Sequence, residues 1–160
     1  MKIRVVDSEL QPKTIALLRQ AFPGRSDEIR LVEKLRSNRR DIHEWVCIHT
    51  GKVIAHIVFT NAYNGKEVCG LHLAPLAVKP EFQRQGVGSE LLHFALRQEA
   101  VRSSTLFVHG DPLYYRKFGF ESCRQPLCPF DMDNKHFLSI RNDGTGEFVV
   151  AYEPEFGEVD

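Results

Sequence analysis

The sequence predicts an α/β (α+β) fold in which a mixed, mainly antiparallel central sheet is flanked by helices and has parallel fourth and fifth strands. Three observations predict it. Two amphipathic helical stretches precede a series of strand-like runs separated by tight-turn signals. A Gly-rich turn leads from the last of those runs into an apolar-periodic helix. A short, buried-looking strand follows that helix, and a strand–helix–strand connection of this kind is a right-handed crossover between parallel strands.

Each element has its own justification. Lys2 to Val6 alternates as an opening strand, and Pro12 followed by Ile15, Leu18 and Phe22 places apolar residues on one helical face. Pro23-Gly24 stops that helix. Ser26 is placed to cap a second helix, with Asp27 and Glu28 in the first turn and Ile29, Val32 and Leu35 as its apolar stripe. Glu44 to Thr50 and Lys52 to Ala62 are rich in Val, Ile and Phe and meet at Thr50-Gly51, which reads as a hairpin. Asn64-Gly65 marks a second turn, leading into Val68 to Val78. Pro75 lies inside that strand and has no N–H to give a ladder, so a bulge or a loss of pairing is expected beside it.

The Gly loop comes next, then a helix from about Gly88 to Glu99 with Val87, Leu91, Leu92, Ala95 and Leu96 on its apolar face. Thr105 to Val108 is the parallel strand. Gly110-Asp111-Pro112 opens a short helix, Leu113 to Phe118, which Gly119 ends, and Phe120 to Ser122 resumes extended structure. Arg124 to Asp133 reads as an irregular loop. His136 to Arg141 and Glu147 to Tyr152 are expected as two strands joined by the turn residues Asn142 to Gly146.

With 160 residues the chain is long enough to bury roughly two-thirds of its unfolded surface, and a single domain over 1–160 is expected. Lys plus Arg and Asp plus Glu each number 21, so nothing in the overall charge favours nucleic acid or a membrane surface as partner. The opening Met-Lys-Ile-Arg-Val-Val-Asp has no signal-peptide-like apolar run, and no segment approaches the ~20 apolar residues of a membrane span. A cytoplasmic protein is the expectation. Cys47, Cys69, Cys123 and Cys128 include no Cys-x-x-Cys pair and read as reduced thiols, so metal binding is not expected.

The stretch Val78-Lys-Pro-Glu-Phe-Gln-Arg-Gln-Gly-Val-Gly-Ser89 carries the chemistry. Glycines at 86 and 88 bare the backbone where a helix starts, and such N–H groups suit a phosphate. The third glycine of a dinucleotide fingerprint and the Gly-Lys-Ser/Thr of a P-loop are both missing, so neither nicotinamide binding nor nucleotide hydrolysis fits. Val78 followed, after four residues, by Gln83-Arg84-Gln85-Gly86-Val87-Gly88 resembles the acyl-coenzyme A motif of the GNAT N-acetyltransferases. The order of elements agrees with that family. Ala-Pro-Leu-Ala-Val at 74–78 and Gly-Asp-Pro-x-Tyr-Tyr-x-x-Phe-Gly-Phe at 110–120 are most similar to its YhbS-type branch.

The resemblance implies an N-acetyltransferase that uses acetyl-CoA as co-substrate and transfers the acetyl group directly to a small-molecule or peptide amine, as a monomer or homodimer. It places CoA on the strand at Leu76, Ala77 and Val78 and on the loop at Gln83, Arg84, Gln85, Gly86, Val87, Gly88 and Ser89. Tyr115, four residues before Gly119-Phe120, is the implied catalytic proton donor to the departing thiolate, with an aromatic anchor whose hydroxyl is hydrogen-bonded as the alternative, whereas Tyr114 is expected to point elsewhere and pack. A backbone N–H near Leu76 is the implied oxyanion donor. His72, His109, Glu67 and a water chain remain open as the general base, and a covalent route through Cys69 lacks a visible base. Arg97, Arg102 and Arg39-Arg40 read as a solvated cationic face. A non-catalytic module that binds acyl-CoA as a sensor shares the loop and remains the alternative.

Overall fold

A computed structural model describes residues 1–158. The central sheet has seven strands in the order β1-β2-β3-β4-β5-β7-β6, where β1 is Lys2–Val5, β2 Ile42–His49, β3 Lys52–Asn64, β4 Glu67–Val78, β5 Leu106–His109, β6 Glu121–Ser122 and β7 Phe137–Ile140. Every neighbouring pair is antiparallel except β4 and β5. Helices α1 (Gln11–Ala21) and α2 (Asp27–Ser37) cover one face, and α3 (Val87–Leu96) covers the other.

The alternation of side chains along the strands divides the core in two. Ile57 and Phe59 of β3 and Leu71 and Leu73 of β4 pack with Leu91, Leu92 and Ala95 of α3. Ala77 turns the other way, onto Leu18 of α1 and Ile29 and Val32 of α2. On that same face the buried Glu44 of β2 accepts hydrogen bonds from Arg36 Nη2 of α2 and from His56 Nε2 of β3, both at 2.7 Å. Burial pushes the Glu44 pKa up, but the bonds from His56 and Arg36 outweigh it and hold the carboxyl below its ordinary value. This charge-assisted tie fixes α2 against the sheet.

The expected disturbance at Pro75 is present. Ile57 pairs with Leu76 and Phe59 with Leu73, so Val58 alone stands opposite Ala74 and Pro75, and β4 carries a bulge there. Two expectations need correction. Ser26 is the N-cap residue of α2 but its hydroxyl makes no capping hydrogen bond, leaving Asp27 and Glu28 as the acidic complement of the first turn. The run Glu147 to Tyr152 is no sheet strand. It touches the rest through single bridges, Tyr63 to Ala151 and Leu127 to Val149, and then enters α5 (Glu155–Glu158). Burial explains the apolar pattern: Val150 and Tyr152 pack with Phe107, Cys123, Cys128 and Phe137 across the chain rather than along a ladder.

Candidate active site

The site begins where two strands part. β4 and β5 pair only at Leu71 with Leu106 and His72 with Phe107. At this stem the backbones come very close, since a Cβ on Gly70 would stand 2.4 Å from the Thr105 carbonyl oxygen, and the Leu71 N–H donates to that same oxygen at 2.8 Å. Beyond the bulge at Pro75 no strand among the described residues lies beside β4 on that side, and an open cavity of about 510 Å³ fills the gap. Leu76, Val78, Gln83, Arg84, Gly86, Val87, Gly88 and Ser89 line it, facing Gly110, Asp111, Tyr114 and Tyr115.

Local geometry explains the loop. Arg84 and Gly86 both have left-handed backbones, with φ of 62° and 83°, so the chain turns sharply twice before α3 starts. The first bond of the α3 ladder runs from Glu90 N–H to Gly86 oxygen, so the N–H groups of Val87, Gly88 and Ser89 have no partner within the helix. Gln83 and Gln85 act as braces: the Gln83 amide donates to Val78 oxygen at 3.0 Å and the Gln85 amide to Glu81 oxygen at 2.9 Å. Arg84 is exposed at the cavity.

The structure therefore brings together eight of the ten residues expected to contact the cofactor. Ala77 and Gln85 fall outside the side chains that line the cavity. Ala77 is buried toward α1 and α2, and Gln85 is an exposed brace outside the lining.

The opposite wall comes from Gly110-Asp111-Pro112 and α4 (Pro112–Tyr115). The Asp111 carboxylate accepts the Leu113 N–H at 3.0 Å, a side-chain cap that starts the turn beside the cavity. Tyr115 lies over Gly110 so closely that a Cβ there would meet its ring at 2.6 Å, and its other flank packs edge-on against Phe120. Burial, with Tyr114 and Asp111 adding to it, pushes the Tyr115 phenol pKa well up, so it stays protonated. Tyr114 departs from expectation. It lines the same cavity, with its hydroxyl 3.3 Å from Ser89 Oγ, because Gly88 leaves room opposite it.

The candidate bases separate cleanly. Glu67 is exposed at the far end of β4, nine residues or roughly 30 Å of strand from Leu76. His72 is buried, stacked at 3.6 Å on the Tyr152 ring, with Phe156 tilted against it. Burial, and then the neighbouring His109, lower its pKa to about 3, which makes it too weak a base to take an ammonium proton. Its Nδ1, the Thr60 hydroxyl directly across β3 and the Tyr152 hydroxyl are all buried without a hydrogen-bond partner among the described residues. His109 stands beside Gly110 at the rim, with Nε2 3.5 Å from an Asp131 oxygen. Burial pushes up the Cys69 pKa, which disfavours a thiolate nucleophile. Arg40, expected in a solvated face, instead grips the buried Glu155 at 2.9 Å.

A family model described as an acetyltransferase (GNAT) domain matches residues 40–122, half of the chain. The chain belongs to the GNAT acetyltransferase family. Among curated GNAT relatives, the uncharacterized N-acetyltransferase YhbS of Escherichia coli K12 is 31% identical over 76% of this chain and 74% of its own length. The uncharacterized N-acetyltransferase YjhQ of the same organism is 40% identical, over 47% of this chain. The match spans only 44% of YjhQ's own length. The crystal structure of Escherichia coli YhbS in complex with CoA superposes with a TM-score of 0.83 at 27% identity, covering 98% of this chain and 91% of that one. A GNAT acetyltransferase of Brucella melitensis, in complex with acetyl-CoA, shares the fold at a TM-score of 0.80 and 24% identity, over 97% of both chains.

Proposed function

We propose that this chain is a single N-acetyltransferase domain that moves an acetyl group from acetyl-CoA directly to the amine of a small-molecule or peptide acceptor in the cytoplasm. The observation that carries the reading is one cavity holding three things at once: the unpartnered side of β4, the open start of α3 and the protonated Tyr115. The CoA complex of the related YhbS supports the choice of donor.

The geometry suits each part of the donor. The N–H groups of Val87, Gly88 and Ser89 and the positive end of α3 receive the pyrophosphate, with Arg84 adding charge. The β4 backbone from Leu76 to Val78 receives the amide-bearing pantetheine arm as a strand would receive a neighbour. An acceptor amine, arriving unprotonated, attacks the thioester carbonyl. The Leu76 N–H stabilises the tetrahedral oxyanion, the amine nitrogen gives up its extra proton to water, and collapse breaks the C–S bond while Tyr115 protonates the leaving sulfur and is reprotonated from water.

Screening a panel of amines for free-thiol release from acetyl-CoA tests this reading. Acceptor-dependent release in the native protein and its loss in Tyr115→Phe support it. Saturable acetyl-CoA binding with no release across small amines and peptide N-termini moves the protein to the non-catalytic acyl-CoA-binding class. No thermal stabilisation by acetyl-CoA overturns both, since a ligand at ~100 times its dissociation constant adds about 2.7 kcal/mol.

A further inference from the structure

Beside the acetyl-transfer cavity lies a second constellation, of which only His109 has been considered for the transfer reaction. His109 ends β5, Asp131 sits in the loop before β7, and His136 immediately precedes β7. One ligand atom from each, two imidazole nitrogens and a carboxylate oxygen, lie within 4.8 Å of one another. We propose that these three residues bind a divalent transition-metal ion of the zinc type.

Donor chemistry selects the ion. Two imidazoles with one carboxylate suit zinc, copper, nickel or ferrous iron, whereas calcium and magnesium favour oxygen-only shells. Three protein ligands with an open position form the usual partial zinc shell, which a water completes. A tetrahedral ion about 2.0–2.1 Å from each donor sets the donors roughly 3.3 Å apart. All three side chains are partly or fully exposed, so rotation closes the remaining gap.

The backbone under the three ligands is already fixed. His109 pairs with Phe137 in the β5–β7 ladder, and Gly110 N–H donates to His136 oxygen at 2.9 Å. Asp131 accepts the His136 N–H at 3.0 Å, which orients the carboxylate toward the imidazoles. Asn134 holds the intervening loop by accepting from Cys128 N–H at 2.9 Å and donating to Cys123 and Pro126 oxygens at 2.8 and 3.1 Å. Such outer hydrogen bonds orient ligands before metal arrives. A His109–Asp131 ion pair alone leaves the His136 ring unexplained, because no hydrogen bond engages it among the described residues. Its ring stands edge-on to His109, with centroids 6.2 Å apart.

The test uses untagged, EDTA-treated and dialysed full-length protein. Zinc titrated calorimetrically should bind with a stoichiometry of one, and calcium should give no heat. Asp131→Asn/His136→Ala should weaken zinc at least ~100-fold. Both proteins should melt at the same temperature in EDTA. Should the double variant fail to fold, His136→Gln alone must show the weakening. Cobalt serves as a spectroscopic probe, with visible bands of a nitrogen–oxygen site and no thiolate charge-transfer band. Absence of saturable zinc binding, unchanged binding in the folded variants, or a thiolate band placing the ion on cysteines each overturns the proposal. None of these readouts depends on acetyl transfer.

Discussion

A phenol lying on a glycine explains why Gly110 matters as much as Tyr115. Any Cβ at position 110 collides with the ring at 2.6 Å, so Gly110→Ala should displace Tyr115 and lower the rate of thiol release while leaving acetyl-CoA affinity within a few-fold. With Tyr115 in the proton-donor role proposed above, Tyr115→Phe should lower the same rate by about 10²-fold. Comparing kcat with the dissociation constant of acetyl-CoA in both variants checks the pair. His72 gives a pH signature instead. Its pKa falls to about 3 in the fold against about 6.5 unfolded, so the unfolded chain binds the extra proton between those values. The stability from keeping it neutral is complete above pH 6.5 and is lost as the pH falls toward 3. At pH 5 that loss is about 2 kcal/mol. His72→Phe keeps a ring against Tyr152 and should flatten the fall in urea midpoint between pH 7 and pH 5. An equally steep fall in the variant would exclude His72 as its source.

At the scale of elements, the loop and α3 separate strain from shape. Gly86 has a left-handed backbone and open space around a would-be Cβ, so Gly86→Ala should cost about 1–2 kcal/mol of stability from conformation alone. Gly88→Ala differs. Its Cβ would stand 3.2 Å from Val78 Cγ2 and 3.5 Å from the Tyr114 hydroxyl, narrowing the cavity. Chemical denaturation should report mainly the first substitution, and acetyl-CoA-induced thermal shifts mainly the second. These elements were also the most legible in the sequence, because glycine spacing, Pro75 and the Gly-Phe pair after Tyr115 act over a few residues. Tyr114 was not legible. Helical spacing pointed it away, but α4 has only four residues before the chain tightens at Arg116–Phe118, and the gap above Gly88 admits the ring. The alternation from Glu147 to Tyr152 resembled a strand because burial imposes the same pattern on a chain crossing the core edge.

For the whole molecule, the helices, the first four strands and the crossover could be read from periodicity, while contacts between distant segments could not. Nothing near Arg40 in the chain points to Glu155, 115 positions away, and nothing near His109 points to Asp131 and His136. Arg40 and Asn38 together hold Glu155, with the Asn38 amide 2.6 Å from Glu155 Oε2, and so secure the segment that lays Tyr152 and Phe156 on His72. Arg40→Met should raise amide hydrogen exchange through residues 148–157 and leave β3 and β4 protected. Uniform protection in the variant would show that the Tyr63–Ala151 bridge suffices.

The two-pair stem between β4 and β5 has a mechanical consequence. A sheet joined through so few rungs should act as a pair of tweezers pivoting at Leu71 and His72, with the amplitude of any opening growing with distance from the pivot. Relaxation-dispersion measurements on the free protein should find millisecond exchange at Val78 and Gly110 and little at Leu71 or Leu106. A pantetheine arm lying between the tips would act as a wedge and quiet that motion.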